Sequence, residues 1–264
     1  MWDNIKTWEM VLPPSRPSSK QLLRMKQALA EMDRRAPVAV LGSTPEFRDL
    51  LHECGFRQIF VLEKNRSFHE EVSKIRIYSN EEVLLWGDWL EILPKHKGRF
   101  AAVLSDLTSG NVPYTKRKDF YQMIGAALEN NGLFFDKVLT HPLPHLEVDS
   151  LLEKYSNLAL NLLHINYFSC EMFFCSELLS LNEEVDSTLF YSIIESRAKN
   201  LRIQTFLKKA ELITPRGCVW WYGRSWGALK EEYCPTLKCL SVEDDETASP
   251  YYGRLKFFTF ARER

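Results

Sequence analysis

The sequence predicts an α/β protein with a mostly parallel sheet, and three observations support this fold class. Short apolar segments alternate with helical patterns between residues 38 and 139. These segments lack the polar alternation of a half-exposed strand, as expected where helices cover both faces of a sheet. The last two apolar segments, at 237–242 and 255–261, have no helix between them, so we expect an antiparallel hairpin there.

The elements of the first half are predicted from punctuating residues. Helices are expected at about 19–34, 45–53 and 115–129, and strands at 38–41, 58–62, 83–86, 100–104 and 133–139. Ser18 or Ser19 can cap the first helix. Pro45 stands at the start of the second helix and Gly55 ends it. The segment 130–132, Asn-Asn-Gly, is expected to stop the third helix.

The second half begins with a change of pattern. Residues 147–213 show helical patterns rich in apolar and aromatic residues and no strand pattern. A helix at 225–233 precedes the two final strands. The chain is therefore divided into an N-terminal arm and helix that serve as a lid (1–36), a core (37–146), a helical insertion for substrate recognition or dimerisation (147–213) and the C-terminal part of the core (214–264).

Composition excludes several classes of protein. The 264 residues are 45% hydrophobic and 26% charged, as in an ordinary globular chain, and the net charge of −1 gives no overall attraction to nucleic acid or anionic membranes. The six cysteines form no Cys-x-x-Cys pair and no set with metal-ligand spacing, so no metal is predicted. No secretion signal or membrane-spanning pattern is present, and we expect a reduced, cytoplasmic protein.

The turn after the first strand is the most informative segment of the sequence. It contains one glycine, Gly42, followed by Ser43, Thr44 and Pro45, whereas a loop that binds a pyrophosphate needs several glycines. Glu63 follows the second strand, about 20 residues further on, where such folds place the acid that binds a ribose diol. An adenosine ligand without a pyrophosphate, such as S-adenosylmethionine, therefore fits better than NAD.

Further acids follow the third and fourth strands. Asp88 lies in the segment Gly87-Asp88-Trp89, and Asp106 follows Ser105. Because the carboxyl ends of parallel strands lie at one edge of a sheet, we expect these residues to lie near Gly42 and Glu63.

These segments together resemble the class I S-adenosylmethionine-dependent methyltransferases. VAVLGSTPEFRDLL is similar to the first motif of that family in a bacterial variant with Gly-x-Thr-Pro-Glu, FVLEKN to the second and GDWLEI to the third. AAVLSDLTSGNVP and LENNGLFFDKV resemble the fourth and fifth motifs, and LPPSRPSSKQL resembles the segment before the core. The resemblance covers about 38–140 and 225–262. It implies a Rossmann-like seven-stranded sheet with an antiparallel terminal hairpin and a helical insertion after strand five.

The resemblance also implies roles for individual residues. Those expected to bind S-adenosylmethionine are Arg16, Gly42, Ser43, Thr44, Glu63, Lys64, Gly87, Asp88, Trp89, Ser105 and Asp106. Those expected to contact the methyl acceptor are Trp8, Asn111, Tyr114, His141, His164 and Tyr167. Asp106 and His141 are the candidate catalytic residues, the first to balance the positive charge of the cofactor and the second as a general base.

Structural roles compete with several of these assignments. Ser43 and Thr44 can instead cap the helix that starts at Pro45, and Asp88 can cap the next one. Arg16 can be a surface residue, and His141 a structural residue of a proline-rich turn. Trp8, together with Trp2, can belong to an apolar arm, and His164 and Tyr167 to an ordinary helical core.

The expected function is transfer of a methyl group to a small organic molecule or a peptide. No basic stripe interleaved with aromatic residues is present, so no nucleic-acid partner is expected, and a homodimer stays open. The alternatives are a polyamine-type aminopropyltransferase, which shares the fold, and a non-catalytic module that binds S-adenosylmethionine. An NAD-dependent oxidoreductase is weaker, because the turn offers no seat for a pyrophosphate.

Overall fold

A seven-stranded sheet forms the centre of the protein. The computed structural model describes residues 5–13, 15–140, 145–180, 184–222, 225–233, 236–244 and 253–263. The strands are β1 (Val38–Leu41), β2 (Ile59–Glu63), β3 (Val83–Trp86), β4 (Phe100–Asp106), β5 (Leu128–Leu139), β6 (Val185–Asp186), β7 (Val219–Trp220), β8 (Leu237–Asp244) and β9 (Leu255–Arg262). The order in the large sheet is β3-β2-β1-β4-β5-β9-β8, and β6 and β7 form a separate two-stranded sheet.

Strand direction agrees with the sequence-based expectation. The pairs from β3 to β5 are parallel, whereas β9 pairs antiparallel with both β5 and β8. The predicted α/β class and the antiparallel terminal hairpin are therefore confirmed. Each of the four β1 side chains is buried, because helices cover the strand on both faces.

Helices surround the sheet and form the insertion. They are α1 (Ile5–Met10), α2 (Ser19–Leu29), α3 (Pro45–Glu53), α4 (Arg66–Ser73), α5 (Trp89–Ile92), α6 (Tyr114–Ala127), α7 (Val148–Asn157), α8 (Leu162–Phe174), α9 (Ser187–Arg197), α10 (Leu201–Ala210) and α11 (Trp226–Tyr233). Three short 3₁₀ turns lie at Leu93–Lys95, Thr108–Asn111 and Glu177–Ser180.

Two helix ends differ from the sequence-based prediction. Helix α2 ends at Leu29, because the Arg34 guanidinium donates to the carbonyl groups of Leu29 and Ala30 at 2.6 and 2.7 Å and so satisfies the last turn. The segment 130–132 lies within β5 rather than ending a helix. There Gly132 lies so close to the neighbouring strand β4 that a Cβ atom at position 132 would be 2.9 Å from the Phe100 carbonyl oxygen.

The insertion has a hydrophobic core of its own, to which α7, α8, α9 and α10 all contribute. At its centre the Tyr155 ring packs edge-on against the rings of Phe168 and Phe206, with centroids 5.0 and 5.5 Å apart. The insertion is not purely helical, and the expectation that it lacks strands was wrong. Strand β6 pairs with β7, which lies more than 30 residues later, a pairing that no local pattern can indicate.

Residues 220–222, Trp-Trp-Tyr, join this insertion to the core, and we call them the clasp. The Trp221 N–H donates to the Gly110 carbonyl at 2.8 Å, and the Arg117 guanidinium donates to the Trp221 carbonyl. The Tyr114 hydroxyl donates to the carbonyl of Tyr222, whose ring lies directly on Gly110. Only a glycine fits there, because a Cβ atom at position 110 would overlap the ring.

A buried ionic network fixes the edge strand β3. The Glu82 carboxylate, just before β3, accepts from the Arg48 guanidinium at 2.6 Å and pairs with Arg76 at 2.9 Å. The side chains of Glu82, Arg48 and Arg76 are at most 5% exposed. Arg76 also pairs with Asp49 at 3.2 Å, whereas the ion pair of Arg48 is with Glu82. Loss of the Glu82 carboxylate therefore leaves the buried Arg48 guanidinium without its ionic partner.

We therefore expect Glu82→Ala to lower the free energy of unfolding by about 3–5 kcal/mol. The matched control is Glu81→Ala, because Glu81 is exposed and should change stability by no more than about 0.5 kcal/mol. Urea denaturation followed by circular dichroism measures both. Equal effects of the two substitutions would show that the network contributes nothing to stability.

Candidate functional site

A cavity of about 320 Å³ opens at the carboxyl ends of β1, β2 and β4. One half of its wall comes from the residues after these strands, and the other from α8 and from residues 213–222. Trp8 and Ser15 of the N-terminal segment complete the wall. Of the residues proposed from the sequence, the structure brings together around this cavity Trp8, Gly42, Ser43, Thr44, Glu63, Lys64, Trp89, Asp106 and Asn111.

The turn after β1 is held in place by a hydrogen bond to the backbone near the end of β2. Gly42 has φ +85°, a conformation that favours glycine, and its N–H donates to the Leu62 carbonyl at 2.8 Å. The same carbonyl accepts from the Trp89 indole Nε1 at 2.8 Å. One carbonyl therefore fixes both the glycine turn and an aromatic ring of the cavity wall.

Glu63 is oriented by its own backbone. Its Oε1 atom accepts from the N–H groups of Lys64 and Asn65, each at 2.8 Å, which occupies both lone pairs of that oxygen. The residue is 6% exposed and lines the cavity. Its Oε2 atom lies beside Gly42, 3.9 Å from where a Cβ atom would stand. Oε2, which has two lone pairs, is left for a ligand, so the predicted contact with a ribose diol would be made through this one oxygen.

Ser43 is paired with a histidine that the sequence analysis did not single out. Its hydroxyl lies 2.9 Å from Nδ1 of His69, and both side chains are buried. Burial lowers the pKa of His69 to about 4, so the ring is neutral at neutral pH. The Ser73 hydroxyl donates to the His69 carbonyl and accepts from Arg48 at 3.0 Å, which leaves its oxygen to face Nε2 as an acceptor. We infer that Nε2 carries the hydrogen and that Ser43 donates to Nδ1.

The alternative role of Ser43 and Thr44, capping of α3, was wrong. Thr44 occupies the N-cap position of α3 without a capping hydrogen bond, and Ser43 bonds to His69 instead. Pro45, the first residue of α3, has no N–H group and so reduces the need for a cap. Thr44 is 7% exposed and lines the cavity.

Asp106 forms an ion pair that the sequence did not reveal. Its Oδ1 atom lies 2.6 Å from Nζ of Lys137, and the two side chains are 4% and 1% exposed. Lys137 already balances the charge of Asp106, so the expectation of a carboxylate free to balance a cofactor needs correction. Strand pairing explains the contact, because Asp106 of β4 lies directly opposite Lys137 of β5.

Ser105 is buried next to Asp106, which lines the cavity. Its hydroxyl donates to Asp136 at 2.8 Å, and the Tyr121 hydroxyl donates to the same carboxylate at 3.1 Å. Burial raises the pKa of Asp136 to about 7. Ser105 is fully buried and does not line the cavity, so its side chain is not available to a ligand.

The N-terminal segment is docked across the cavity. The Trp8 indole donates to Glu46 at 3.2 Å, and its ring packs edge-on against Phe68 at 5.9 Å. The Arg16 guanidinium pairs with the same Glu46 at 3.2 Å and donates to the Trp8 carbonyl at 3.3 Å. On the other side, Asn166 of α8 donates to the Met10 carbonyl at 2.9 Å. The segment thus bridges the core and the insertion.

Several proposed residues lie away from the cavity wall, and their ligand roles stay predictions. Arg16 is engaged with Glu46, and Gly87 donates its N–H to the Glu63 carbonyl at 3.1 Å. Asp88 is exposed and accepts from the Leu90 N–H at 2.9 Å. It therefore caps α5, which was its alternative role.

Other residues proposed for the acceptor are also engaged elsewhere. Tyr114 bonds to the clasp, and the His164 ring lies 2.7 Å from the Ala159 carbonyl. Tyr167 packs against the core of the insertion. His141, like Trp2, falls outside the described residues.

One half of the cavity wall, formed by α8 and by residues 213–222, contains aromatic residues that were not predicted from the sequence. Phe174, Trp220 and Tyr222 line the cavity from the end of α8 and from the clasp. The only signal in the sequence was the aromatic run at 220–222. Which of its rings face the cavity depends on β7 pairing with β6.

Two cysteines, Cys170 and Cys218, line the cavity. None of the five described cysteines forms a disulfide bond, and the described part of the chain contains no group of three His, Cys, Asp or Glu side chains that could hold a metal ion.

None of the helices within the described ranges combines the length and the apolar character needed to cross a membrane.

Comparisons with known proteins give structural matches only. No protein-family model and no curated protein matches the chain. A Rhodobacter sphaeroides protein, provisionally assigned as a Zn-dependent alcohol dehydrogenase, has a TM-score of 0.60 and 13% identity, over 99% of this chain and 98% of that one. A Listeria monocytogenes protein, provisionally assigned as an S-adenosylmethionine-dependent methyltransferase, has a TM-score of 0.57 and 10% identity, over 94% and 100%.

A third match bears on the fold in the same way. An S-adenosylmethionine-dependent methyltransferase from Mesorhizobium loti has a TM-score of 0.54 and 11% identity, over 93% of this chain and 98% of its own. At such identities the likeness concerns the fold alone. The chain has the Rossmann-like fold of class I methyltransferases, with the seven-stranded sheet and terminal hairpin that the sequence predicts.

The neutral state of His69 gives a testable dependence of stability on pH. The pKa of His69 is lowered from 6.5 to about 4. Between these two pH values the unfolded chain binds a proton at His69 and the folded chain does not. The contribution of His69 to the free energy of unfolding is therefore fully present above pH 6.5 and is lost as the pH falls towards 4. Between pH 7 and pH 5 this contribution amounts to about 2 kcal/mol.

We expect His69→Asn to remove that part of the pH dependence, because the amide does not titrate. Urea unfolding at pH 7 and pH 5 measures the difference for each protein. His164→Asn serves as the control, since His164 is half-buried at the surface of the insertion and does not contact Ser43. An equal loss of stability in the wild type and in His69→Asn would contradict the assignment.

Proposed function

We propose that this protein is a methyltransferase that uses S-adenosylmethionine and methylates a small organic molecule or a peptide. The observation that carries the proposal is Glu63, a buried carboxylate whose Oε1 is fixed by two backbone N–H groups while Oε2 lies beside the Gly42 turn. A ribose hydroxyl needs such an oriented acceptor. The fold, and the presence of S-adenosylmethionine-dependent methyltransferases among the structural neighbours, support this interpretation.

The residues around Glu63 fit an adenosyl ligand better than a dinucleotide. Gly42 allows the backbone to approach a ligand, but the turn has no further glycine with which to enclose a pyrophosphate. Trp89 lines the cavity with its indole N–H already satisfied by Leu62, so its ring is free to pack against an adenine base. The pattern Gly-x-Thr-Pro-Glu at 42–46 is, in this proposal, the first motif of the bacterial variant.

Methyl transfer depends more on the alignment of the acceptor with the methyl group than on acid–base groups of the protein. When bound, S-adenosylmethionine supplies a sulfonium methyl group that an acceptor lone pair takes as the C–S electron pair returns to sulfur. Alignment of this kind supplies up to about 7–11 kcal/mol in the best cases. Trp8, Trp220 and Tyr222 exclude water from the cavity, and Asp106, oriented by Lys137, accepts a hydrogen bond from the methyl acceptor.

Three other functions share some of these features. A polyamine-type aminopropyltransferase would use the decarboxylated cofactor, and the chain could also bind S-adenosylmethionine without catalysis. An NAD-dependent oxidoreductase has one specific point in its favour, the structural match to a protein provisionally assigned as an alcohol dehydrogenase. The single-glycine turn argues against it, because nothing in that turn seats a pyrophosphate.

Equilibrium binding separates these functions. Isothermal titration of the purified protein with S-adenosylmethionine, its decarboxylated analogue, S-adenosylhomocysteine and NAD⁺ should give binding of the first and third in preference to the other two. Transfer of a labelled methyl group into an extract of the native host, with identification of the product by mass, then tests catalysis. Tight binding of NAD⁺ alone would refute the proposal, and binding without transfer would favour the non-catalytic module.

Glu63→Gln should weaken binding of S-adenosylhomocysteine about 10- to 100-fold, the effect of losing one charge-assisted hydrogen bond. Glutamine keeps a carbonyl oxygen for the two backbone N–H groups but presents an amide that cannot accept from a hydroxyl. Glu70→Gln is the matched control, because Glu70 is exposed on α4 and does not line the cavity. Unchanged affinity in Glu63→Gln would exclude the ribose role.

A further inference from the structure

The two halves of the cavity wall differ in charge. The half formed by the strand ends carries Glu63, Lys64 and Asp106. The half formed by α8, by residues 213–222 and by Leu139 and Leu255 carries no acidic, basic or histidine side chain in its described part. A charged group on a ligand in this second half has no charged side chain next to it in the wall, because the nearest charges are Asp106 at the strand ends and Arg254, which contacts Cys175 outside the wall. Burial of an unpaired charge there would be strongly unfavourable.

Polar side chains in the uncharged half are already engaged within the protein. Asn166 donates to the carbonyl groups of Met10 and Leu162, each at 2.9 Å, and accepts from the Leu12 N–H at 3.0 Å. The hydroxyl groups of Ser169 and Thr214 bond to each other. These side chains hold the wall together, so this half offers a ligand mainly apolar surface and ring faces.

Three aromatic rings form the centre of this half. Phe174 lies edge-on to Trp220 and to Tyr222, with ring centroids 5.6 and 5.3 Å apart. All three line the cavity and are only partly buried, so packing among themselves leaves ring surface uncovered. The clasp fixes Tyr222 on Gly110, which keeps the three rings in a preformed arrangement.

Tyr222 adds no charge to this half. The pKa of its hydroxyl is raised well above the ordinary value, mainly by burial and to a lesser extent by the nearby Asp106 carboxylate. The group is therefore neutral at neutral pH. Asp106 also lines the cavity, at the side of the strand ends. A polar group on the edge of a bound ring therefore has one charged acceptor within the same cavity.

We propose that the uncharged half binds the ring of an uncharged aromatic small molecule, packed against Phe174, Trp220 and Tyr222, and that this molecule is the methyl acceptor. The identification as acceptor rests on the function proposed above, whereas the preference for an uncharged aromatic ring rests on the wall alone. Aromatic rings favour edge-on and offset packing with one another, which three fixed rings offer to a fourth. An anionic or cationic ring has no charged partner among the side chains that line this half.

Binding of three matched probes tests the preference. The probes are 2-naphthol, which is an uncharged aromatic, 2-naphthoate, which has the same ring with a negative charge, and decahydro-2-naphthol, which is uncharged but not aromatic. Isothermal titration at neutral pH is carried out with the wild-type protein, with and without saturating S-adenosylhomocysteine. We expect 2-naphthol to bind at least tenfold more tightly than either other probe. Equal or tighter binding of 2-naphthoate or of the saturated alcohol would overturn the proposal.

Two adjacent tryptophans provide a matched pair of variants. Trp220→Leu should weaken 2-naphthol binding tenfold or more, because Trp220 lines the cavity, and should leave S-adenosylhomocysteine affinity unchanged. Trp221→Leu should leave both affinities unchanged, because its side chain is outside the wall and its backbone contacts persist. Circular dichroism and thermal melting verify folding, and Phe174→Leu replaces Trp220→Leu if that variant does not fold. Equal binding of 2-naphthol by the Trp220 and Trp221 variants would refute the assignment.

Failure of this proposal is distinguishable from failure of the proposed function. If S-adenosylhomocysteine binds and 2-naphthol does not, the aromatic site is wrong and the cofactor site stands. If 2-naphthol binds with the expected preference and S-adenosylhomocysteine does not, the aromatic site stands and the methyltransferase assignment is lost. A short peptide that binds more tightly than 2-naphthol would overturn the small-molecule acceptor.

Discussion

Parallel pairing of β1 with both β2 and β4 is the constraint on which the candidate site depends. In this register Leu41 lies opposite Leu62 on one side and Ser105 on the other, so all three strands end at the same level. The residues that follow, Gly42, Glu63 and Asp106, must then meet at one edge of the sheet. The β1 side chains stabilise this register, because Ala39 and Leu41 pack in one hydrophobic cluster and Val38 and Val40 in another, and a slip by one residue would exchange them between the two.

Buried polar groups make this edge rigid before any ligand arrives. The Leu62 carbonyl accepts two hydrogen bonds, Oε1 of Glu63 accepts two, and Ser43 is bonded to a neutral His69. Each pairing avoids the cost of leaving a buried donor or acceptor unsatisfied. Together they fix the side chains at the geometry that a ligand finds, which limits the entropy lost on binding.

The insertion and the clasp decide what the cavity can contain. The N-terminal segment is bonded to the core through Glu46 and to the insertion through Asn166, so it bridges the two. The clasp lies on Gly110, where only a glycine allows the Tyr222 ring to come so close. The cavity therefore joins a charged half at the strand ends to an uncharged, aromatic half, and this division underlies the proposals for cofactor and acceptor.

By itself the sequence determined the fold class, the strands of the sheet, the terminal hairpin and the positions of Gly42, Glu63, Trp89 and Asp106, because these follow from local patterns and from the geometry of parallel strands. The tertiary structure decided the rest. The pairs His69 with Ser43 and Lys137 with Asp106, and the aromatic half of the cavity, arise from contacts between residues distant in the chain. Local patterns carry no record of such contacts, since they depend on how whole elements pack.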